Sequence, residues 1–464
     1  MTFKFLSIFI AFILIFLSLV MLAGGFSENI ILVKLNLALQ LAMLLIFIFW
    51  LYRRSRSFIN APALFIISIF YWHSAFFFCY FFQVVPLFEF TGNVFRYGFV
   101  KIPETIAFLG VCLSCMVIGS VLGYNQQLKI FKKNELFFEK RKSALSKKII
   151  LTILLLYSCL TFLYLIKIGI GFFSEKYSNA FYLIQPNSFL YRSYQATKYC
   201  LITIIITALA YTRKASRFFV LFIFLVLILI QFLLGSRSVP FVMIIALAVS
   251  WDHFVKKLSW RTLLIFVVSL AFMNCVVSYS RAVVGLGWNV FNFAATGRHS
   301  VNLWQFIWDA QQGGVVARTM YFLSETGDFL YGRSFFDALV YLLPRMIVDG
   351  LGFHTGFLVP SEWLVQRSSD VLAGGGMGFS LAAEAYLNFG IAGCLLFIYL
   401  GWFISKNYFK YIFFKDIYAL MHALNFSLIL SLHMRSDIGS YMRYLVYGFL
   451  FIEMLKIMDK RTCR

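Results

Sequence analysis

The chain has 464 residues, 61% of them hydrophobic, 20% aromatic and only 13% charged, with a formal net charge of +22 and a mean hydropathy of +0.84. Soluble domains carry about a quarter charged residues, so a soluble globular protein is excluded and an integral membrane protein is predicted. The positive charge lies between apolar runs and includes no nucleic-acid-binding motif, so it signals topology and anionic lipid rather than nucleic acid.

Runs long enough to cross about 30 Å of hydrocarbon as helices lie near 4–23, 29–51, 62–84, 104–124, 149–168, 192–211, 218–235, 238–252, 262–280, 379–403, 416–434 and 442–457. They predict an all-α, polytopic bundle of about twelve spans, with 1–464 forming a single membrane domain. The runs are continuous rather than alternating, which excludes a transmembrane β-barrel. The first is too long for a signal segment and lacks a small-residue cleavage site, so it is expected to remain as a helix.

The basic residues set the orientation. Counting alternate loops, one side carries 25 of the 41 Lys and Arg residues, including Arg53, Arg54, Arg56 and the run from Lys129 to Lys148. By the positive-inside rule that side is cytoplasmic, and both termini face it.

Three stretches lie between spans. Residues 125–148 read as a lysine-rich cytoplasmic connector, 169–191 as an external loop, and 281–378 as a large external helical layer between spans nine and ten. In that layer, 301–311 and 334–343 have helical spacing and are expected to lie on the membrane surface. Trp304, Trp308, Tyr331 and Trp363 would act as interfacial anchors. Gly313-Gly314, Gly350 and Gly374-Gly375-Gly376 read as hinges. No internal repeat relates the halves, which weighs against a transporter. All eight cysteines fall in spans or the C-terminal tail, so no disulfide framework is expected outside. Cys112 and Cys115 read as helix-packing thiols.

Between Lys257 and Lys406 there is no lysine, yet seven arginines occur: Arg261, Arg281, Arg298, Arg318, Arg333, Arg345 and Arg367. Charge supplied only as guanidinium suits bidentate recognition of phosphate or carboxylate. Two hairpins are also too short to hold their charges outside. Residues 218–251 must form two spans and the Gly235-Ser236-Arg237-Ser238 turn, although two crossings want about 40 residues. Residues 416–457 must likewise hold two spans with His433, Arg435, Asp437 and Arg443 between them. Charges at such depth usually mark substrate pathways, although Arg435 or Arg443 could instead pair with Asp437 as structural glue.

Span ten opens with Ser380, Glu384 and Asn388 every four residues, one face of a helix. That stripe should face the bundle or a cavity. Glu384 reads equally as a general base or as the group that holds an arginine in place. No metal-ligand cluster, P-loop, GxGxxG or GxSxG occurs. The first external loop, 24–29, is too short for the acidic pair of a polyprenyl-monophosphate sugar transferase.

In order along the chain come Leu234-Gly235-Ser236-Arg237, Ser278-Tyr279-Ser280-Arg281, and Tyr331-Gly332-Arg333-Ser334-Phe335-Phe336 running to Leu343-Pro344-Arg345. Gly378-Phe379-Ser380 through Glu384-Ala385-Tyr386-Leu387-Asn388-Phe389-Gly390 and the Arg-rich final turn follow. From about residue 165 onward this order resembles the O-antigen polymerase family, Wzy type. Met346-Ile347-Val348-Asp349-Gly350 departs from the Trp/Pro/Lys-rich segment that many relatives have after the Pro-Arg. The resemblance implies a metal-independent, cofactor-free glycosyltransferase in the bacterial cytoplasmic membrane. It would polymerise undecaprenyl-diphosphate-linked oligosaccharides at the outer face. A chain-length regulator, a flippase and membrane lipids would be its partners.

Combined with the arginine arithmetic, this assigns Arg237, Arg281, Arg345, Arg435 and Arg443 to the diphosphates. Glu384, His433 and Asp437 are the catalytic candidates. Tyr177, Tyr386 and Asn388 are the sugar-binding ones. Arg298, Arg318, Arg333 and Arg367 are assigned to the surface or to loop folding, ahead of His299 and His354 as polar surface groups. An O-antigen ligase and a lipid-linked oligosaccharide flippase are the alternatives.

Overall fold

Hydrocarbon offers no water to backbone N–H and C=O groups, so each apolar run satisfies them internally as a helix. A computed structural model describes residues 3–23, 29–83, 99–133, 147–168, 200–211, 214–233, 238–265, 268–269, 312–340, 342–343, 360–367, 379–432, 434 and 438–462. Among the described residues the regular structure is helical and no strand occurs. Five segments are long and apolar enough to cross a membrane: Phe3–Ala23, Ile30–Ser55, Ala61–Phe81, Ile102–Lys133 and Leu381–Phe414. Shorter apolar helices include Leu201–Ala210, Arg217–Gln231, Val239–Phe254 and Ile417–Ser431. Most of the ninth predicted run, 262–280, lies outside the described residues.

The chain divides into two compact units, Met1–Glu139 with Ile307–Leu445 and Lys140–Phe306 with Val446–Arg464. In the first, α1 (Phe3–Ala23) buries Ser7, Ala11, Leu14, Ser18 and Met21 and exposes Phe5, Phe9, Phe12 and Phe16. Small residues inward and bulky ones outward is the arrangement of a lipid-facing helix. α2 (Ile30–Ser55) starts at Asn29, whose side chain accepts from Ile31 N and Leu32 N, and ends at Arg56 with φ 56°. α3 (Ala61–Ile69) and α4 (Ala75–Phe81) form one rod joined by a π-turn at Phe70–Ser74.

α5 (Ile102–Lys133) is the central helix of this unit, packed by α1, α2 and the later α14 (Leu395–Phe414). It runs on past Tyr124, so the first part of the expected 125–148 connector is helical. Lys129, Lys132 and Lys133 suit that helix end because cations complement its negative dipole pole. Gly119 and Gly123 let α5 approach α14 closely: a Cβ there would lie 2.1 Å from Ile398 O and 2.5 Å from Trp402 O. A buried polar chain ties α1, α2, α5 and the π-turn together. Asn36 Nδ2 donates to Ser18 Oγ (2.9 Å), Gln40 Nε2 to Asn36 Oδ1 (2.8 Å) and to Ile106 O (3.0 Å), and Ser74 Oγ to Gln40 Oε1 (2.7 Å).

In the second unit, α6 (Lys147–Ile168) packs on α7 (Leu201–Tyr211), and α9 (Ser238–Phe254) packs on both α7 and α8 (Lys214–Leu233). α8 buries Val220, Phe224, Leu227 and Gln231 while exposing Phe218, Phe222, Leu225 and Leu229, again the pattern of a helix meeting lipid on one side. After α9, Asp252 holds the chain by accepting from Lys257 Nζ (2.9 Å) and Leu258 N (2.8 Å).

Two expectations are corrected in the first unit. Residues 312–326, for which the sequence pattern names hinges and no helix, form α10 (Gln312–Thr326), buried from Gly313 to Met320. Gly313 is a packing contact rather than a hinge, since a Cβ there would lie 2.3 Å from His73 O on the π-turn. A helix of 15 residues is too short to read as a span, which is why the sequence pattern hid it. The tenth span, expected as one helix over 379–403, is broken. α13 (Leu381–Phe389) ends in a 3-10 turn, Gly390–Cys394, from which α14 (Leu395–Phe414) departs. Residues eight apart on a straight helix are separated by about 12 Å. Here a Cβ on Gly393 would lie 2.2 Å from Ala385 O, and Gly390 has φ 57°, so the chain folds back on α13. Cys115 lies beside Cys394 at this turn, in keeping with a packing role for the thiols.

Candidate functional site

The broken helix positions the site. Ser380 caps α13, its Oγ accepting from Ala383 N at 3.1 Å, and the following turns carry Glu384 and Asn388. All three residues of the predicted stripe are 0% exposed, so the stripe faces the protein interior.

The motif Tyr331-Gly332-Arg333-Ser334 docks on the far end of α13. α10 stops at Gly327, whose φ is 70°, and the chain then meets the unpaired carbonyls that end α13. Leu330 N donates to Leu387 O (3.1 Å) and Tyr331 N to Asn388 O (3.0 Å), while Gly332 N donates to Asn388 Oδ1 (3.0 Å). Tyr331 and Gly332 reach these acceptors in the left-handed region, with φ of 47° and 90°. The loop N–H groups of Leu330 and Tyr331 thus supply the donors that a helix C-terminus lacks, and the Asn388 side chain fastens the loop at Gly332.

α11 (Arg333–Val340) begins there. Ser334 Oγ donates to Glu384 Oε1 at 2.5 Å, and Asn388 Nδ2 donates to Ser334 Oγ at 2.8 Å. The other carboxylate oxygen, Glu384 Oε2, accepts from Ile438 N at 2.7 Å, the first residue of α16 (Ile438–Thr462). Glu384 therefore joins three stretches that the sequence singled out separately: the Tyr-Gly-Arg-Ser segment, the stripe of span ten and the final Arg-rich turn. A carboxylate at a helix N-terminus also complements the positive pole of α16.

Aromatic rings flank this polar knot. Tyr386, half-buried, meets Phe108 edge-on at 5.1 Å and Phe329 at 6.3 Å, and Phe335 stacks on Phe389 at 5.9 Å. Tyr331, Phe336, Leu339 and Leu343 are exposed. Trp363, expected as an interfacial anchor, is instead 4% exposed. It lies on α12 (Pro360–Arg367) beneath the guanidinium of Arg367, which also reaches Asp328 at 3.4 Å.

Of the predicted site residues, Glu384, Tyr386 and Asn388 share α13, and Arg443 is half-buried on α16. Arg237, Arg281, Arg345, Arg435, His433, Asp437 and Tyr177 lie outside the described residues. Arg333 is exposed and pairs with Asp337 at 3.7 Å, which fits a loop-folding role, as do the contacts of Arg367. Arg318 does not fit the surface role assigned to it: it is 6% exposed on α10, a helix that packs on α5 and α13. The signal was present in Val315-Val316-Ala317-Arg318-Thr319-Met320, a single guanidinium within an apolar stretch.

A buried guanidinium on a short internal helix, beside a broken helix whose polar face is sealed by two distant segments, defines an integral membrane protein with a polar site inside its helical bundle. The chain matches the family O-antigen polysaccharide polymerase Wzy over residues 5–461, and it belongs to that family. Membership makes it a multi-pass membrane protein of polysaccharide biosynthesis with a polymerase activity of the glycosyl-transfer kind. No curated protein and no solved structure matches it.

Proposed function

We propose that the protein joins undecaprenyl-diphosphate-linked oligosaccharide repeat units into O-antigen or a similar surface polysaccharide, at the outer face of the bacterial cytoplasmic membrane and without a metal ion. The reading takes twelve spans, with both termini cytoplasmic and 281–378 on the outer side. The excess of lysine and arginine on the other side supports that orientation.

The observation that carries the reading is the convergence of the Tyr-Gly-Arg-Ser segment, α13 and the start of α16 on Glu384. The Ile438 bond fixes the first residue of α16 on the polar face of α13, and Ile438 directly follows the sequence segment that carries His433, Arg435 and Asp437. Both Glu384 oxygens already accept a hydrogen bond, which favours a positioning role for this residue. The proton-accepting role is then left to His433, oriented by Asp437.

In the reaction, the acceptor hydroxyl oxygen bonds to the anomeric carbon of the donor glycan. The bond from that carbon to the diphosphate breaks, the electron pair leaves with undecaprenyl diphosphate, and the hydroxyl proton passes to His433. Arg237, Arg281, Arg345, Arg435 and Arg443 bind the diphosphates and stabilise the charge that develops as the donor leaves. Tyr177 and Tyr386 line the path of the sugars. Asn388, assigned to the sugars by the sequence, is buried with both amide atoms bonded to Ser334, Glu384 O and Gly332 N, and so positions the segment instead.

The test is the surface-glycan ladder of a strain deleted for this protein, with and without complementation. The expected result is surface lipid bearing single repeat units, with the ladder restored by the gene. Surface lipid with no repeat unit at all would make the protein a ligase, and an unchanged ladder would overturn the reading.

A further inference from the structure

Glu104 lies in the first turn of α5 and enters none of the roles above. Its Oε1 faces Lys101 Nζ at 3.2 Å. Its Oε2 is screened from solvent and accepts no hydrogen bond among the described residues. Such an oxygen costs about 1–3 kcal/mol unless a donor reaches it.

Glu104 and Phe108 are four residues apart and so share a face of α5. That face meets α13, since Phe108 contacts the Tyr386 ring at 5.1 Å, and the Glu104 carboxylate acts electrostatically on Tyr386. Phe329 also lies 6.3 Å from Tyr386, and Tyr331 lies 6.4 Å from Phe329. The result is a set of touching aromatic rings beside a part-buried carboxylate, 25% exposed, whose inner oxygen has no partner among the described residues.

We propose that Glu104, with Tyr386 and Phe329, forms a sugar subsite in which Glu104 Oε2 accepts from a ring hydroxyl of the repeat unit and the aromatic faces cover its C–H surface. The inference rests on the function proposed above. Lys101 already offsets the carboxylate charge, so a neutral donor completes the site better than a second cation. The negative face of an aromatic ring complements the weakly positive C–H groups of a pyranose. A site built around a buried acceptor discriminates strongly against a ligand lacking the matching donor, because the acceptor is then left unpaired.

The experiment uses the full chain in nanodiscs, polymerising the lipid-linked repeat unit extracted from the deletion strain. Glu104→Ala should raise KM for that lipid about tenfold with kcat changed little. Glu104→Gln keeps an acceptor oxygen and loses the ion pair, while Lys101→Met loses the ion pair and keeps the carboxylate. Both should stay within about threefold of wild type. Glu104→Asp keeps the charge and draws it back by one methylene, so it should raise KM severalfold and carries the test if Glu104→Ala does not fold. A wild-type KM in Glu104→Ala, or in Glu104→Asp where that variant carries the test, overturns the subsite. So does a shift in Lys101→Met equal to that in Glu104→Ala. If wild-type protein makes no polymer from this lipid, the proposed function and the subsite fall together; if it polymerises and these variants keep its KM, only the subsite falls.

Discussion

Ser334 and Glu384 are fifty residues apart in the chain and 2.5 Å apart in space, with the serine hydroxyl donating to Oε1 and receiving a bond from Asn388 Nδ2. Through this contact the α11 segment is fastened to α13. Through the other carboxylate oxygen, α13 is fastened to the start of α16.

Replacing the acceptor should loosen all three elements together. Glu384→Ala leaves Ser334 Oγ and Ile438 N without their partner in a buried setting, at a cost of about 2–4 kcal/mol. Thermal unfolding of the detergent-purified protein should register that loss, and the glycan ladder should disappear. Long-chain glycan at wild-type level from this variant would rule out the anchoring role.

Ser334 offers a milder probe of the same knot. Ser334→Ala leaves Glu384 Oε1 and Asn388 Nδ2 each short of one bond, costing about 1–3 kcal/mol. Asn388→Asp should be worse, because it sets a second carboxylate toward the Ser334–Glu384 pair and removes the donor that Ser334 accepts from. The check is the order of melting temperatures: wild type highest, then Ser334→Ala, then Asn388→Asp.

The fold-back after α13 makes a graded prediction among glycines. Gly393→Ala drives a methyl group against the Ala385 carbonyl, 2.2 Å away, and should cost about 3 kcal/mol. Gly327 has a left-handed φ of +70° but nothing within 4 Å of an added Cβ, so Gly327→Ala should cost only about 1–2 kcal/mol. Equal melting temperatures for the two variants would contradict the tight packing of the Gly390–Cys394 turn on α13.

The arginines separate by chemistry. Lysine keeps the charge but cannot form the bidentate fork, so Arg237, Arg281, Arg345 and Arg435 changed singly to Lys should insert and fold yet lose long glycan chains. Arg318→Lys should behave the same way, because its guanidinium is held within the bundle. Arg367, bonded to Asp328 and lying over Trp363, should tolerate Lys with the ladder intact. Full ladders from all of the first group would discard diphosphate binding by these side chains.

Much of the fold was legible along the chain. A helix in hydrocarbon needs only its own run of apolar residues, so α1, α2, α5 and the helices at 61–81 and 417–432 fall close to their predicted positions. The burial of Ser380, Glu384 and Asn388 was legible for a similar reason: a spacing of four is a local property of one helix. α10 was not, because its 15 residues combine glycine, arginine and apolar side chains in a pattern that no membrane-length window detects. Glu104 was equally hidden, since a single carboxylate near a helix start looks the same whether it faces water or an aromatic row.

The amino-acid order by itself determined that this is a helical membrane protein, where its long apolar helices at 3–23, 30–55, 61–81 and 102–133 fall, and where guanidinium replaces ammonium along the chain. Those are consequences of hydrophobicity and backbone hydrogen bonding, both of which act within one segment. Only the tertiary structure decided that span ten is broken at Gly390–Cys394, that Ser334 and Ile438 complete the Glu384 carboxylate, and that Arg318 is enclosed. Such pairings join residues far apart in the chain, and they are selected by packing and by the cost of leaving a buried polar atom alone, neither of which has a period that a sequence displays.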